Sequence, residues 1–211
     1  MKSNKTNYQI QAEKALLEFP KWNHEDIANK FNLICDQQYL YIQFIGRPYR
    51  INRELGTVEK SRDGIVYDSE AGFNEIMSIF DLFHYSKAEL KLSGEWINVQ
   101  SLGVMGHSGK IIGNDLYAPF SKHFSGKCPE LAKACMELGG EEEEGTHADV
   151  SFIIKIFDFL PVMIRFWDSD DEFPAEIKIF WDKNILDYVH FETTFYIAFH
   201  LLRRIKKIVG D

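Results

Sequence analysis

The stretch from Val150 to Trp181 constrains this chain most. Val150, Phe152, Ile154 and Ile156 alternate along it, then Val162, Ile164 and Phe166, then Ala175, Ile177, Ile179 and Trp181. A period of two places every second side chain on one face of a strand, so each run reads as a strand with one apolar face. Phe159-Leu160-Pro161 and the segment Asp168 to Pro174 join the runs. Connections of that kind make three consecutive antiparallel strands, a meander. Downstream, Phe191, Phe195, Ala198, Leu202, Ile205 and Val209 recur at steps of four and three. That spacing predicts a helix over roughly Phe191 to Ile208 whose apolar stripe lies across the meander.

The rest of the chain reads as mixed helices and short strands. A first helix is expected from Tyr8 to Phe19, with Ile10, Ala12, Ala15, Leu16 and Phe19 as its apolar positions and Pro20 ending it. Asn23 before His24-Glu25-Asp26 predicts an N-cap and a second helix to about Phe31. Tyr39 to Phe44 reads as a strand closed by Gly46-Arg47-Pro48, and short strands are expected at Tyr49 to Ile51 and Thr57 to Glu59. Asp68-Ser69 is read as the cap of a helix from Glu70 to about His84, with Phe73, Ile76, Met77, Phe80 and Phe83 as its stripe. Trp96, Ile97 and Val99 suggest a short strand. Pro129 to Leu138 suggests a helix with proline in its first turn and Gly139-Gly140 beyond its end. The four glutamates between Gly140 and Gly145 are expected in an exposed, mobile loop, spanning about residues 139 to 147. The fold class is therefore α+β, one domain over residues 1 to 211.

Charge and cysteine usage narrow the function classes. The net charge is −8, and it is uneven: residues 1 to 140 carry 16 Lys/Arg against 17 Asp/Glu, while residues 141 to 211 carry 8 against 15. An acidic chain lacks the basic face that duplex nucleic acid demands. The three cysteines, Cys35, Cys128 and Cys135, form no close pair, which suits a reducing compartment. The polar start, Met1-Lys2-Ser3-Asn4-Lys5, shows no apolar signal core, and no run approaches the ~20 apolar residues of a membrane span. A cytoplasmic protein with no nucleic-acid or membrane partner is expected.

Several groups of residues qualify as candidate sites, each beside a local alternative. Asp168-Ser169-Asp170-Asp171-Glu172 concentrates carboxylates that a cation would relieve, but the calcium-loop glycine and twelfth-position glutamate are missing, and a solvated hairpin turn explains it as well. Asp182, Asp187, His190 and Glu192 fall between the last strand and the last helix. His190 and Glu192 suit proton transfer or metal binding, whereas acids near a helix N-terminus also serve as caps. Glu95-Trp96 offers a carboxylate beside a ring, or simply a core tryptophan after a turn. Gly106-His107-Ser108-Gly109-Lys110 fails as a phosphate loop, with Val104 where glycine is required and Ile111 where Ser or Thr is required. Cys128 and Cys135, seven apart, share a helix face with Leu131 and Leu138 and read as core residues rather than nucleophiles. Arg203-Arg204 and Lys206-Lys207 form a basic end that could touch a membrane or RNA, or that complements the dipole in the last turn of the last helix.

The residues Leu92-Ser93-Gly94-Glu95-Trp96, Leu160-Pro161-Val162, Phe166-Trp167, Asp171-Glu172-Phe173-Pro174-Ala175 and Asp182-Lys183-Asn184, running toward Asp187-Tyr188 and Glu192, together carry a resemblance. The chain resembles domain of unknown function family 3786, a family of anaerobic bacteria and archaea, over about residues 25 to 205. No activity is assigned to that family. Some longer members join this domain to a cysteine-rich iron–sulfur segment similar to one in corrinoid proteins. No complete catalytic constellation appears, so a binding or accessory module is expected, and the resemblance implies an iron–sulfur or corrinoid partner for it. The residues themselves leave room for a small metal-dependent enzyme built on clustered carboxylates and His190. Three scattered cysteines cannot supply four cluster ligands, so no iron–sulfur cluster is expected in this chain. If the matched motifs mark one surface, then Glu95, Trp96, Asp171, Glu172, Asp182, Asp187, His190 and Glu192 should converge around a protein partner or a small ligand.

Overall fold

The computed structural model describes residues 6–102 and 115–210, so the stretch from Gly103 to Lys110 weighed as a phosphate loop lies outside the described residues. The expected meander is present as β7 (Val150–Phe157), β8 (Leu160–Trp167) and β9 (Glu176–Asp182). An edge strand is added on either side: β5 (Trp96–Asn98) pairs with β9 and β6 (Glu141–Glu142) pairs with β7. Every pairing in this five-stranded sheet is antiparallel. The register shows why the alternation matters. Phe152 lies opposite Ile164, which lies opposite Ile179, and Ile154 opposite Val162, which lies opposite Trp181. All six are buried, so each cross-strand row presents one continuous apolar line to the core.

The N-terminal half forms a second sheet, with β1 (Tyr39–Phe44), β2 (Arg47–Asn52), β3 (Val58–Ser61) and β4 (Tyr67–Glu70) antiparallel in chain order. The β1–β2 turn is Ile45-Gly46, and both residues have positive φ, as a two-residue hairpin of the primed type demands. Glycine suits that backbone and isoleucine does not. Ile45 is held there from outside the hairpin: its N–H donates to the Ile156 carbonyl at 2.7 Å, and its carbonyl accepts from the Arg204 guanidinium. This turn ties the first sheet to β7 and to the last helix. Arg204 is thus a tether, not part of an exposed basic end.

The helices are α1 (Asn7–Glu18), α2 (His24–Phe31), α3 (Phe73–Tyr85), α4 (Ala118–Phe124), α5 (Cys128–Glu137) and α6 (Phe191–Val209). Asn23 caps α2 through the Asp26 N–H, as its position predicts. α6 buries Thr194, Ile197, Ala198, Leu201, Leu202 and Ile205, while Phe191, Phe195 and Val209 stay half-buried. Its inward face is therefore turned from the stripe picked out by spacing, because α3, α5 and α4 flank it more closely than either sheet does. Met163 apart, the buried apolar residues of both sheets and of the six described helices belong to one cluster. None of the described helices is long and apolar enough to cross a membrane.

Three expectations need correction. Asp68-Ser69 does not cap a helix: both lie in β4, hydrogen-bonded to β3, and α3 starts at Phe73 after Gly72. The acid that serves this N-terminus is Glu75, whose carboxylate reaches back to the Gly72 N–H. The glutamate run is not an open loop throughout. Glu141 and Glu142 pair with β7, and Glu143 is fastened by the Ser151 hydroxyl at 2.7 Å and by two nitrogens of Arg165. Local charge disfavours burial, but an exposed edge strand tolerates it and one arginine neutralises part of it. In α1, Ile10 and Leu17 are exposed and only Ala12 is fully buried, so the N-terminal helix carries a weaker apolar face than its spacing suggests.

Candidate functional site

The structure separates the eight candidate residues into three places. Glu95, Trp96 and Asp182 come together at the end of β9. Trp96 pairs with Asp182 across the sheet, Lys183 binds the Glu95 carboxylate at 3.0 Å, and Asp182 accepts from the Ser93 and Gly94 N–H groups, the Ser93 hydroxyl and the Asn184 N–H. Burial alone would raise the Asp182 carboxyl. The backbone bonds from Ser93, Asn184 and Gly94 outweigh it and hold the group below the ordinary carboxylate range. With its oxygens occupied by the chain itself, Asp182 fastens the Ser93–Glu95 turn to β9. Asp187 sits nearby in an ion pair with Lys87 at 2.6 Å.

Asp171 and Glu172 lie at the opposite end of β9, exposed in the β8–β9 connection. Their neighbours are committed to local geometry. Asp170 accepts the N–H groups of Glu172 and Phe173 and closes a turn. Asp168 accepts from the Ser125 hydroxyl, the Gly126 N–H and the Ser169 N–H. A cleft of about 1020 Å³ borders this hairpin, lined by Trp167, Asp168, Phe173 and Lys178 among others. Lys178 is already paired with Glu176 at 2.8 Å and lies over the Trp167 ring.

His190 and Glu192 form a pair with each other and line a different cleft, of about 700 Å³. α1 gives one wall, α3 the floor and the first turns of α6 the far side. An aromatic series runs along it: Trp22 lies flat against His84, His84 meets Tyr85 edge-on, and Tyr85 leans on His190 with centroids 5.1 Å apart. Phe80 and Met77 underlie it. Asp81 opens into this cleft while only 9% exposed. Its carboxylate accepts from the Thr193 hydroxyl at 2.5 Å. Burial pushes the Asp81 carboxyl up; Thr193 and the neighbouring His190 and His84 counter this only in part. Trp96 is not among the residues lining this cleft.

The remaining reactive groups are turned inward. Burial pushes the Cys135 thiol up to about 12, and burial together with Asp168 pushes Cys128 up to about 11. Cys35 is raised by burial as well. Thiols so placed stay protonated near neutral pH and are poor nucleophiles. Between α3, α6 and the first sheet, Glu75 accepts from Tyr49 at 2.6 Å and Lys60 at 2.9 Å. His200 stacks on Phe44 with its Nε2 3.8 Å from Glu75 and, among the described residues, no hydrogen-bond partner. Burial pushes His200 down to about 4. These residues line neither of the two clefts.

A family model described as Domain of unknown function (DUF3786) matches residues 23–204 of the 211. The chain belongs to the DUF3786 family. No curated protein and no solved structure matches it. The DUF3786 match begins just after Trp22, so the α1 wall and Trp22 lie outside the matched residues, while Asp81, His84, Tyr85, His190 and Glu192 lie within them. Among the described residues, no three His, Cys, Asp or Glu side chains group so as to hold a metal ion. Sequence reasoning found His190 and Glu192 but missed Asp81. The available signal was an acid enclosed in Ile79-Phe80-Asp81-Leu82-Phe83, on a helix whose neighbouring positions are all buried.

Proposed function

We propose that this DUF3786 chain is a binding module and that the cleft between α1, α3 and the start of α6 receives its ligand or partner. Asp81 carries the reading. Chains rarely place a carboxylate in nine-tenths burial without a paired cation, because desolvation disfavours the ionised form. Such a group at the bottom of an aromatic cleft is the kind of locally unfavourable placement that binding sites retain. The alternative of a metal-dependent enzyme has no donor set assembled among the described residues. Service to an iron–sulfur or corrinoid protein is suggested by longer family members alone. A cytoplasmic setting suits the three free thiols.

Titration of isotope-labelled protein with a mixed fragment library, followed by amide and indole chemical shifts, tests the site. Shifts should concentrate on Trp22, Asp81, His84 and Tyr85. First shifts at Glu95 and Trp96, or at Trp167 and Phe173, would move the site elsewhere.

A further inference from the structure

The cleft's charge and its rings together specify the ligand, on the reading that it is the binding site. The carboxylates lining it are Glu18, Asp81 and Glu192. Glu18 is paired with Lys21 at 2.7 Å and Glu192 with His190. Among the described residues Asp81 has the uncharged Thr193 hydroxyl as its hydrogen-bond partner, and the charges that reach it include those of His190, His84 and Glu192. It is therefore a largely desolvated carboxylate that opens into the cleft. An incoming cation would gain its attraction in a low-dielectric setting without burying that carboxylate afresh. An incoming anion would be repelled by it, and the basic side chains lining the cleft are Lys14, at the α1 wall, and the imidazoles of His84 and His190.

The walls make the same choice. Trp22, Tyr85 and Tyr196 present rings to the cleft, and aromatic faces attract cations, tryptophan most of all. Ala15 and Met77 offer apolar surface beside them. A hydrated metal ion would use neither the rings nor the apolar floor, and lacks a donor set. We propose that the cleft binds an organic cation, an ammonium or guanidinium group on a short apolar stem, with Asp81 as its counter-ion and Trp22 as its principal ring. Such a group belongs either to a free small molecule or to a lysine or arginine side chain of a partner protein.

The test titrates the full chain, by tryptophan fluorescence and calorimetry, with n-butylguanidinium and n-butylammonium as free cations. An end-blocked Gly-Arg-Gly peptide stands for the protein side chain, and n-butanol and n-butyl phosphate serve as neutral and anionic counterparts. At least one cationic probe should saturate, with the neutral and anionic probes at least about tenfold weaker. Saturation by the free cations alone assigns a small molecule, and saturation by the peptide alone assigns a partner's side chain. Asp81→Asn should weaken the cation about tenfold while leaving the chain folded, and Trp22→Leu should weaken it independently. Equal binding of butanol or preferential binding of butyl phosphate overturns the cation and leaves the cleft standing. Silence from every probe, or undiminished binding in Asp81→Asn, also overturns the cation, and the fragment titration decides the cleft on its own.

Discussion

The Asp81 carboxylate accepts a 2.5 Å hydrogen bond from the Thr193 hydroxyl, joining the middle of α3 to the first turn of α6 across 112 positions of sequence. The bond places a negative charge at a helix N-terminus, where the dipole favours it, yet burial still raises the carboxyl. A carboxyl raised in the folded chain stabilises folding below its ordinary value of 3.8, and this contribution is lost as pH rises through the folded value. At neutral pH the ionised group therefore weighs against folding. Asp81→Asn keeps an acceptor for Thr193 and removes the charge. It should raise stability at pH 7 by about 1 kcal/mol, with the gain shrinking toward pH 4, in denaturant melts at both pH values. A loss of stability at pH 7 would show that ionised Asp81 is not a burden.

His200 sets a different pH dependence. Its folded value of about 4 lies below the ordinary 6.5, so between these the unfolded chain holds a proton that the folded chain does not. Stability should fall as pH falls from about 6.5 to about 4, by up to about 3 kcal/mol. The lowered carboxyls of Glu75 and Asp182 add their own losses only at the acid end of this window. His200→Phe keeps the stacking on Phe44 and cannot titrate. Its stability should be flatter between pH 6.5 and 5; an unchanged slope would assign the effect to another group.

The elements legible in the sequence are those where burial repeats with a fixed period. Phe152, Ile164 and Ile179 announce their strands because one face of the three central strands is buried. The glutamate run hides β6, because an edge strand two residues long leaves no periodicity to read, and Arg165, the partner of the adjoining Glu143, lies 22 positions away. Asp68 and Ser69 mislead for the opposite reason: they have the right chemistry for a cap, but pairing with β3 takes that segment first. The site follows the same division. His190 and Glu192 are visible as a local pair, whereas the cleft joins Trp22, Asp81 and His190, which only the packing of α1 and α6 against α3 brings together.

Gly56 is what lets α1 sit where it does. A Cβ at this position would lie 2.0 Å from the Leu16 carbonyl oxygen and 2.9 Å from its carbon, and the residue has φ of +69°. Leu16 is helix backbone and cannot rotate away. Gly56→Ala should destabilise the chain by about 2–3 kcal/mol through combined strain and overlap. It should also displace the C-terminal turn of α1, and with it the Trp22 wall, giving a shifted tryptophan emission before the main unfolding transition. A melting temperature and emission matching the unsubstituted chain would mean α1 does not pack on the β2–β3 turn.

Asp182 gives the sharpest distinction between a structural and a functional carboxylate. It is 3% exposed and accepts three backbone N–H groups, those of Ser93, Gly94 and Asn184. Asp182→Ala would leave those donors without a partner in a place water reaches poorly, at a loss of about 3 kcal/mol. Asp182→Asn retains one acceptor oxygen and should lose less. Because the bonds hold the Ser93–Glu95 turn against β9, amide hydrogen exchange at Ser93 and Gly94 should quicken in both variants, more so in the alanine one. Binding of a ligand in the α1–α3–α6 cleft should be unchanged once the variants are compared under folding conditions. If Asp182→Asn were as stable as the parent, with exchange at Ser93 unaltered, but lost ligand binding, then Asp182 would belong to the binding site after all, and the surface sought at Trp96 would regain its claim over the cleft at Asp81.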